Sequence, residues 1–423
     1  MFKNRRHIVI FLLFLGGIIN YMDRSALSIA APYLSVDLNL SPSEMGIVFS
    51  SFFFGYAIFN FIGGYLSDRI GPFRVFTASM TVWSVFCALT GVATGFLSMI
   101  LIRIGFGIGE GPFNSTANKL INNWFPRREI GGAIGLANGG TPLGGAIAGP
   151  VVGACIALFG WRIAFFVVAA VGLVWLVFWL RLASSAPDSD PRVSPEERSE
   201  IINGRSASVS PQEISGNIWS YIRNKTVFAT AFAFFSYNYI LYFFLTWFPS
   251  YLITVRGLSL RDMSLVSSIP WLLGCVGLIG GGFLSDALYR RTGNALFSRK
   301  LILTVCLGVA AVAIILAGFM TTAFSAVALV AIAVCALYLT GTTYWAIIQD
   351  TVPSGRVGGV SGFVHALANT AGIIGPTVTG YIVQFTGSFT SAFVLAGIIA
   401  IFGIVAVLIF VRPSQKASTI KIV

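Results

Sequence analysis

Four ionisable side chains interrupt stretches of sequence that are otherwise apolar. Asp23 and Arg24 lie within the first of these stretches, and Arg103 and Glu110 lie within another. Because a charged group in hydrocarbon is costly, such residues normally face a protein interior or a water-filled cavity and pair there. Arg103 and Glu110 are seven positions apart, which is about two helical turns, so their side chains share one helix face. We therefore expect two helices to bring one carboxyl and one guanidinium group each to a common cavity.

These residue types suit the coupled binding of an anion and a proton. An arginine stays charged and can bind a carboxylate through two parallel hydrogen bonds, whereas the protonation of a buried carboxyl group depends on its surroundings. An arginine would hold the anion, and Asp23 or Glu110 would carry the proton. A purely structural role for Asp23 and Arg24 is the alternative. It is disfavoured because adjacent residues on a helix point about 100° apart and neutralise each other poorly.

The composition of the chain excludes an ordinary soluble protein. Of its 423 residues, 56% are apolar and 10% are charged, which is typical of a protein that crosses a membrane many times. The net charge of +12 does not indicate a nucleic-acid partner, because the basic residues lie in short segments between apolar runs, where they orient a membrane protein. The basic residues 1–7 precede an apolar run that is too long for a signal peptide, and no cleavage site follows it.

Neither the cysteines nor the glycines form a cofactor motif. The five cysteines lie in apolar runs without a CxxC pair or a histidine cluster, so we expect them to pack in the core and predict no metal site. They are Cys87, Cys155, Cys275, Cys306 and Cys335. Gly105, Gly107 and Gly109 alternate in a GxGxG pattern, but no strand precedes them, so close helix packing explains them better than a nucleotide site.

Runs of about 20 apolar residues predict an all-α membrane protein with twelve transmembrane helices. The predicted helices span residues 8–34, 44–66, 73–94, 96–118, 130–155, 161–183, 226–251, 262–284, 299–319, 323–346, 356–384 and 388–411. An even number of helices places both termini on one side of the membrane. Because lysine and arginine are concentrated on that side, both termini are predicted to be cytoplasmic.

The twelve helices are predicted to form two bundles of six. A polar segment at 184–225, rich in serine, proline and charged residues, separates an N-terminal bundle at 1–183 from a C-terminal bundle at 226–423. We expect this segment to be a solvated cytoplasmic linker rather than a set of short interfacial helices.

Two motifs recur across this linker. The segment Gly64–Arg74 is echoed by Gly282–Arg291, and Gly144–Pro150 is echoed by Gly372–Pro376. The two members of each pair lie six predicted helices apart, as expected for parallel structural repeats.

These motifs resemble those of the major facilitator superfamily along essentially the whole chain. The superfamily features are Gly-x-x-x-Asp-Arg-x-Gly at 64–71, Arg-x-x-x-Gly at 103–107 and the division into six and six helices. More narrowly, Asn-Tyr-Met-Asp-Arg at 20–24, Gly-Glu-Gly-Pro at 109–112, Asn-Asn-Trp-Phe-Pro at 122–126 and Phe-Leu-Thr-Trp-Phe-Pro at 244–249 resemble the anion:cation symporter family. Within that family, the chain is most similar to proton-coupled bacterial carriers of hexonates and hexuronates.

The resemblance implies roles for the four deep charges. Arg24 would bind the carboxylate of the substrate, and Asp23, Arg103 and Glu110 would form a proton-linked network. The turn with Asp68, Arg69 and Arg74, with Asp286 as its counterpart in the second half, would be a conformational latch rather than a substrate site.

Polar and aromatic residues on several predicted helices are candidates for binding the hydroxyl groups of a sugar acid. They are Tyr21, Tyr56, Asn114, Asn118, Thr141, Tyr237, Asn238, Tyr242, Trp247, Trp345, Gln349, His365 and Asn369. The resemblance ranks Tyr56, Asn114, Trp345 and His365 highest, although hexonate carriers commonly have Gln near Thr141 and Asn near His365. For each aromatic residue, the alternative is packing in the core or against lipid. For His365, a hydrogen-bonded packing role is favoured over proton relay.

The sequence therefore predicts a proton-coupled secondary transporter that imports a carboxylated sugar such as a hexonate or hexuronate. Its partners would be this small anion and protons, with no cofactor beyond the proton gradient, and we expect a monomer in a bacterial inner membrane. An organic-anion exchanger or efflux carrier of the same superfamily is the nearest alternative. A membrane-embedded enzyme would need a nucleophile with its base, or a metal cluster, at depth, and a sensor would need a signalling domain. The sequence indicates neither.

Overall fold

The structure, a computed structural model, describes residues 4–204, 218–352 and 354–412, and its regular structure there is helical. The first helices are α1 (Arg5–Asp37), α2 (Pro42–Ile70), α3 (Pro72–Thr90), α4 (Phe96–Glu110), α5 (Phe113–Trp124) and α6 (Ile130–Leu182). A 3-10 turn (Pro187–Ser189), α7 (Pro195–Gly204) and α8 (Ile218–Ile222) follow. The remaining helices are α9 (Lys225–Thr254), α10 (Leu260–Val266), α11 (Ser268–Thr292), α12 (Ala295–Phe319), α13 (Ala323–Thr340), α14 (Thr343–Thr351), α15 (Ser354–Thr386) and α16 (Thr390–Phe410).

Ten helical stretches in the described residues are long and apolar enough to cross a membrane. One of them, α6, bends at Gly160, which has a φ of +82°, and its 53 residues supply two crossings. Helix α15 has 33 residues, a length of about 50 Å, and supplies the remaining crossing. The structure thus confirms the predicted all-α membrane protein with twelve transmembrane helices.

The helix predicted at 96–118 differs from the structure in its length and continuity. It continues to Trp124 and is divided into α4 and α5 at Gly111 and Pro112. Proline lacks the backbone N–H that a helix interior needs, and it fits best at the start of a helix. Pro112 is accordingly the residue that precedes α5, and this break follows directly after Glu110.

The chain packs into two compact units. Among the described residues, the first unit contains 4–204, 245–269 and 376–384, and the second contains the rest. These units follow packing rather than chain order, so the division into bundles at 1–183 and 226–423 stays a prediction.

Glycine allows α4 to approach its neighbours closely in the first unit. A Cβ atom added at Gly107 would overlap the carbonyl oxygen of Phe52 on α2, and one at Gly109 would lie 2.5 Å from the backbone nitrogen of Trp83 on α3. The GxGxG pattern is therefore a helix-packing feature, as predicted. Through these glycines α4 packs closely against α2 at Gly107 and against α3 at Gly109.

Part of the segment expected to be a solvated linker is folded against the first unit. Glu197 of α7 is buried, and its two carboxylate oxygens accept hydrogen bonds of 2.9 Å each from the backbone N–H groups of Arg5 and Arg6, at the start of α1. Asp190 is also buried and binds the side chain of Arg192 at 2.7 Å. For residues 187–204 the structure thus favours a packed helix over a solvated linker, and the cytoplasmic placement of the segment stays a prediction.

The pKa of Asp190 reflects this packing. Burial alone would favour the neutral carboxyl group, but the hydrogen bonds from Arg192 outweigh burial and hold the pKa of Asp190 below its usual range. The ionised form is thus the one that the folded segment stabilises, so this contribution is present at neutral pH and is lost in acid.

Candidate functional site

The four deep charges lie on two helices of the first unit and are almost fully buried. Asp23 and Arg24 are on α1, and Arg103 and Glu110 are on α4. Their exposed fractions are 1%, 6%, 4% and 0%, respectively. Ions removed from water to this extent need compensating contacts, so the partners of each group determine what the cluster can do.

Arg24 and Glu110 form a direct ion pair between α1 and α4. The Nη2 and Nε atoms of Arg24 donate to the same oxygen, Oε2 of Glu110, at 2.6 and 3.1 Å. Asn20 of α1 also stabilises this carboxylate, although no described residue meets hydrogen-bond geometry at the other oxygen, Oε1. The resemblance assigns Arg24 to the carboxylate of the substrate and Glu110 to the proton-linked network. In the structure these two residues bind each other.

Aromatic rings surround the guanidinium group of Arg24. Its Cζ atom lies 5.1 Å from the ring centre of Tyr21, 4.8 Å from that of Phe52 and 4.9 Å from that of Tyr56. Asn114 of α5 donates a hydrogen bond of 3.2 Å to the hydroxyl oxygen of Tyr56. Three residues predicted to bind the substrate, Tyr21, Tyr56 and Asn114, are therefore grouped with Arg24.

Asp23 is bound from α3. The indole Nε1 of Trp83 donates to Oδ2 of Asp23 at 3.0 Å, while Oδ1 has no hydrogen-bond partner in the described residues. Asp23 and Arg24, which are adjacent on α1, thus bind different partners. Sequence reasoning missed Trp83, because it is one of nine tryptophans and no local pattern marks it as polar.

Arg103 is held by rings instead of by a carboxylate. Its Cζ atom lies 5.0 Å from the ring centre of Phe52 and 4.6 Å from that of Phe106, and its buried Nε has no hydrogen-bond partner in the described residues. Arg103 and Arg24 border a cavity with room for about one water-sized molecule, roughly 10 Å³. The other residues lining this cavity are Ser28, Phe49, Phe52, Phe53, Leu245 and Thr246.

A second group of predicted residues lies together in the second unit. The rings of Trp345 and His365 are 5.7 Å apart, and both contact the ring of Phe234, at 5.4 and 6.2 Å. The hydroxyl of Tyr242 donates to Oδ1 of Asn369 at 2.8 Å, and Nδ2 of Asn369 donates to the carbonyl oxygen of His365 at 2.8 Å. Phe234 was missed, since its place at the centre of the group depends on tertiary packing.

Two other residues were predicted to bind the substrate, Thr141 and Gln349. The hydroxyl of Thr141 donates to the carbonyl oxygen of Asn138 on its own helix at 2.8 Å. Gln349 is exposed at the end of α14. Their roles in substrate binding stay predictions. In the described part of the chain, no three His, Cys, Asp or Glu side chains are placed to hold a metal ion.

Comparison with known proteins identifies the family. The model of the Major Facilitator Superfamily matches residues 13–376 and, in a second overlapping match, 296–422. The chain belongs to the major facilitator superfamily. This confirms the resemblance seen in the motifs, and it places the break after Glu110 and the turn at Gly71 within a known transporter fold.

Several members of the superfamily are similar to this chain along its length. The "Hexuronate transporter" of Bacillus subtilis (strain 168) is 51% identical over 98% of this chain and 96% of the relative. The "Probable sulfoacetate transporter SauU" of Cupriavidus necator is 34% identical over 96% and 94%, and the "Probable L-galactonate transporter" of Escherichia coli (strain K12) is 31% identical over 95% and 88%.

A solved structure shares the fold. The inward-facing, unoccupied form of a bacterial homologue of the human lysosomal transporter Spinster matches with a TM-score of 0.78 at 18% identity. The match covers 98% of this chain and 100% of that structure. The helical architecture is thus that of the superfamily.

The superfamily turn between α2 and α3 is a single residue, Gly71, with a φ of +90°. Only glycine adopts this conformation readily. Asp68 forms an ion pair of 2.7 Å with Lys119 of α5, which sequence reasoning missed, and Arg69 lies over the ring of Tyr65. Arg74 is exposed, and the side chain of Asp286 lies outside the described residues. The latch role of these residues stays a prediction.

Proposed function

We propose that this protein imports a hexuronate or hexonate together with protons. The observation that carries the proposal is the buried ion pair between Arg24 and Glu110, since it joins an anion-binding group to a group that can take up a proton. The similarity to a hexuronate transporter along the whole chain supports the choice of a sugar acid as the anion.

The ion pair suggests how proton and substrate are coupled. Protonation of Glu110 removes the negative charge that Arg24 binds, so the guanidinium group becomes available to the carboxylate of the substrate. Release of the substrate allows Glu110 to lose its proton and to bind Arg24 again. In both states Arg24 faces one anion, which avoids an unpaired charge in the membrane. The substrate and the proton therefore enter and leave the site together.

The neighbouring side chains would select a sugar acid over other anions. Tyr21, Tyr56 and Asn114 offer hydrogen-bonding groups beside Arg24. In the second unit, Tyr242, Trp345, Gln349 and His365 stay proposed as contacts for the hydroxylated part of the substrate. These groups carry no fixed charge, and they suit a polyol rather than a second charge.

Competition on purified protein tests the proposed substrate. Binding of radiolabelled glucuronate should be reduced by unlabelled hexuronates and hexonates and should be unaffected by a large excess of glucose, because glucose lacks the carboxylate that Arg24 binds. Tight binding of glucose, or equal competition by glucose and by the sugar acids, would refute the assignment of a sugar acid as the substrate. Uptake into proteoliposomes with an inward-directed pH gradient then tests proton coupling and direction.

We also propose that the protein is a monomer in a bacterial inner membrane with both termini in the cytoplasm. A cysteine replacing the exposed Ser189 in a cysteine-free background should resist an impermeant thiol reagent in intact cells and react in inverted vesicles. The exposed Asn39, in the turn after α1, is the matched control and should show the opposite pattern. Labelling of the Ser189 position from outside the cell would contradict this orientation.

A further inference from the structure

Phe52 is the residue that connects the two buried arginines. Its ring lies 4.8 Å from Cζ of Arg24 and 5.0 Å from Cζ of Arg103, and its side chain is 1% exposed. The face of an aromatic ring carries partial negative charge and attracts a cation, most strongly where water is excluded. One neutral side chain thus contacts both positive charges.

Two rings and the charge of Glu110 stabilise the buried charge of Arg103. Its Nε has no hydrogen-bond partner in the described residues, while Phe52 and Phe106 lie within 5.0 Å of its Cζ atom. The two rings are themselves 5.7 Å apart. We call Phe52 and Phe106 the Arg103 cage.

Glu110 binds Arg24 and not Arg103, although Arg103 is on its own helix. Arg103 and Glu110 are two turns apart on α4, close enough for their long side chains to meet. Nevertheless, Oε2 of Glu110 accepts hydrogen bonds from Arg24, and Oε1 accepts none in the described residues. Arg103 is near enough to Glu110 for their charges to attract, but it lies against the two rings while Arg24 makes the contact.

We propose that the Arg103 cage enforces proton coupling by keeping Arg103 away from Glu110. This inference rests on the proposed function. When a substrate takes Arg24, Glu110 loses the cation that it contacts, and uptake of a proton lets it remain buried at low cost. If Arg103 were able to move to Glu110, it would neutralise the carboxylate without a proton. Substrate would then cross without its proton, although the substrate site itself would be intact.

Phe52 is proposed to position Arg103. Its test therefore needs a measurement that a general loss of packing would not change. In proteoliposomes, Phe106→Leu, which changes a ring against Arg103, should lower pH-driven accumulation of glucuronate about tenfold and lower the proton-to-substrate ratio, while substrate exchange without a gradient stays within about twofold. Phe52→Leu should lower the proton-to-substrate ratio in the same way and should also weaken exchange, because Phe52 contacts Arg24 as well. Replacement of Phe52 by trifluorophenylalanine keeps the shape of the ring but weakens the negative charge on its face, and it should give an intermediate loss.

Phe76 provides the matched control. It is a fully buried ring of α3 that packs on Phe113, Trp175 and Trp179. Trifluorophenylalanine at this position should leave the proton-to-substrate ratio unchanged. Equal coupling in Phe52→Leu and the parent would overturn the proposal, as would uncoupling by Phe52→Leu without any effect of ring fluorination. A parent protein that shows no pH-driven accumulation would refute the proposed function itself, and the inference with it.

Discussion

Arg24→Lys is expected to weaken hexuronate binding about 100-fold, and Arg24→Ala more. Lysine keeps the charge, but it loses the planar donor pair that matches a carboxylate and the stacking on the rings around it. Loss of one member of a buried charge pair at a binding site costs about 2–5 kcal/mol, and 100-fold corresponds to about 2.7 kcal/mol. Arg24→Ala also removes the cationic partner of Glu110. Isothermal titration of the purified variants with glucuronate measures the effect.

Arg128→Lys is the control for this substitution. Arg128 is 72% exposed and pairs with Glu200 in the first unit, so this variant should bind glucuronate like the parent. Thermal unfolding of all variants separates a loss of binding from a loss of fold. Binding by Arg24→Ala that equals that of the parent would remove Arg24 from the substrate site.

Glu110→Gln should abolish pH-driven accumulation and preserve substrate exchange. The amide imitates the protonated acid, so Arg24 remains available to the substrate but no proton is carried. In the parent protein, substrate affinity should fall as the pH rises, because deprotonated Glu110 competes for Arg24. In Glu110→Gln that decline should disappear. Exchange and gradient-driven uptake, measured on the same proteoliposomes between pH 5.5 and 8.5, give both results.

Asp23→Asn tests the second carboxyl group. The structure shows Trp83 as its hydrogen-bond donor, and asparagine retains an oxygen that accepts this bond. A loss of coupling in Asp23→Asn would therefore come from the lost charge and not from a displaced Trp83. Undiminished proton-driven uptake in both Asp23→Asn and Glu110→Gln would exclude the two acids from the mechanism.

The sequence was informative wherever composition alone determines the outcome. Long apolar runs predict helices, and a charge within such a run requires a polar cavity, so the twelve helices and the burial of Asp23, Arg24, Arg103 and Glu110 followed directly. The partners of these charges could not be predicted in this way. Trp83, Phe52 and Phe106 are aromatic residues in a chain with 14% aromatic content, and only the packing of α2, α3 and α4 distinguishes them.

The pairing of the deep charges shows the same limit. The positions of Arg103 and Glu110 on one helix face were predictable, but a shared face permits a contact without requiring it. The structure pairs Glu110 with Arg24 of α1, and two rings lie against Arg103. The fold of α7 was also missed, because its polar composition resembles a linker and its burial depends on the start of α1.

The hydrogen bonds from the start of α1 to Glu197 constrain how the chain can be divided into co-expressed fragments. The first N–H groups of a helix have no partner within it and need an acceptor from elsewhere. A division between residues 204 and 218 keeps that acceptor on the same fragment as α1. A division after residue 183 would place it on the other fragment, so the helix that carries Asp23 and Arg24 would depend on reassembly for its first turn.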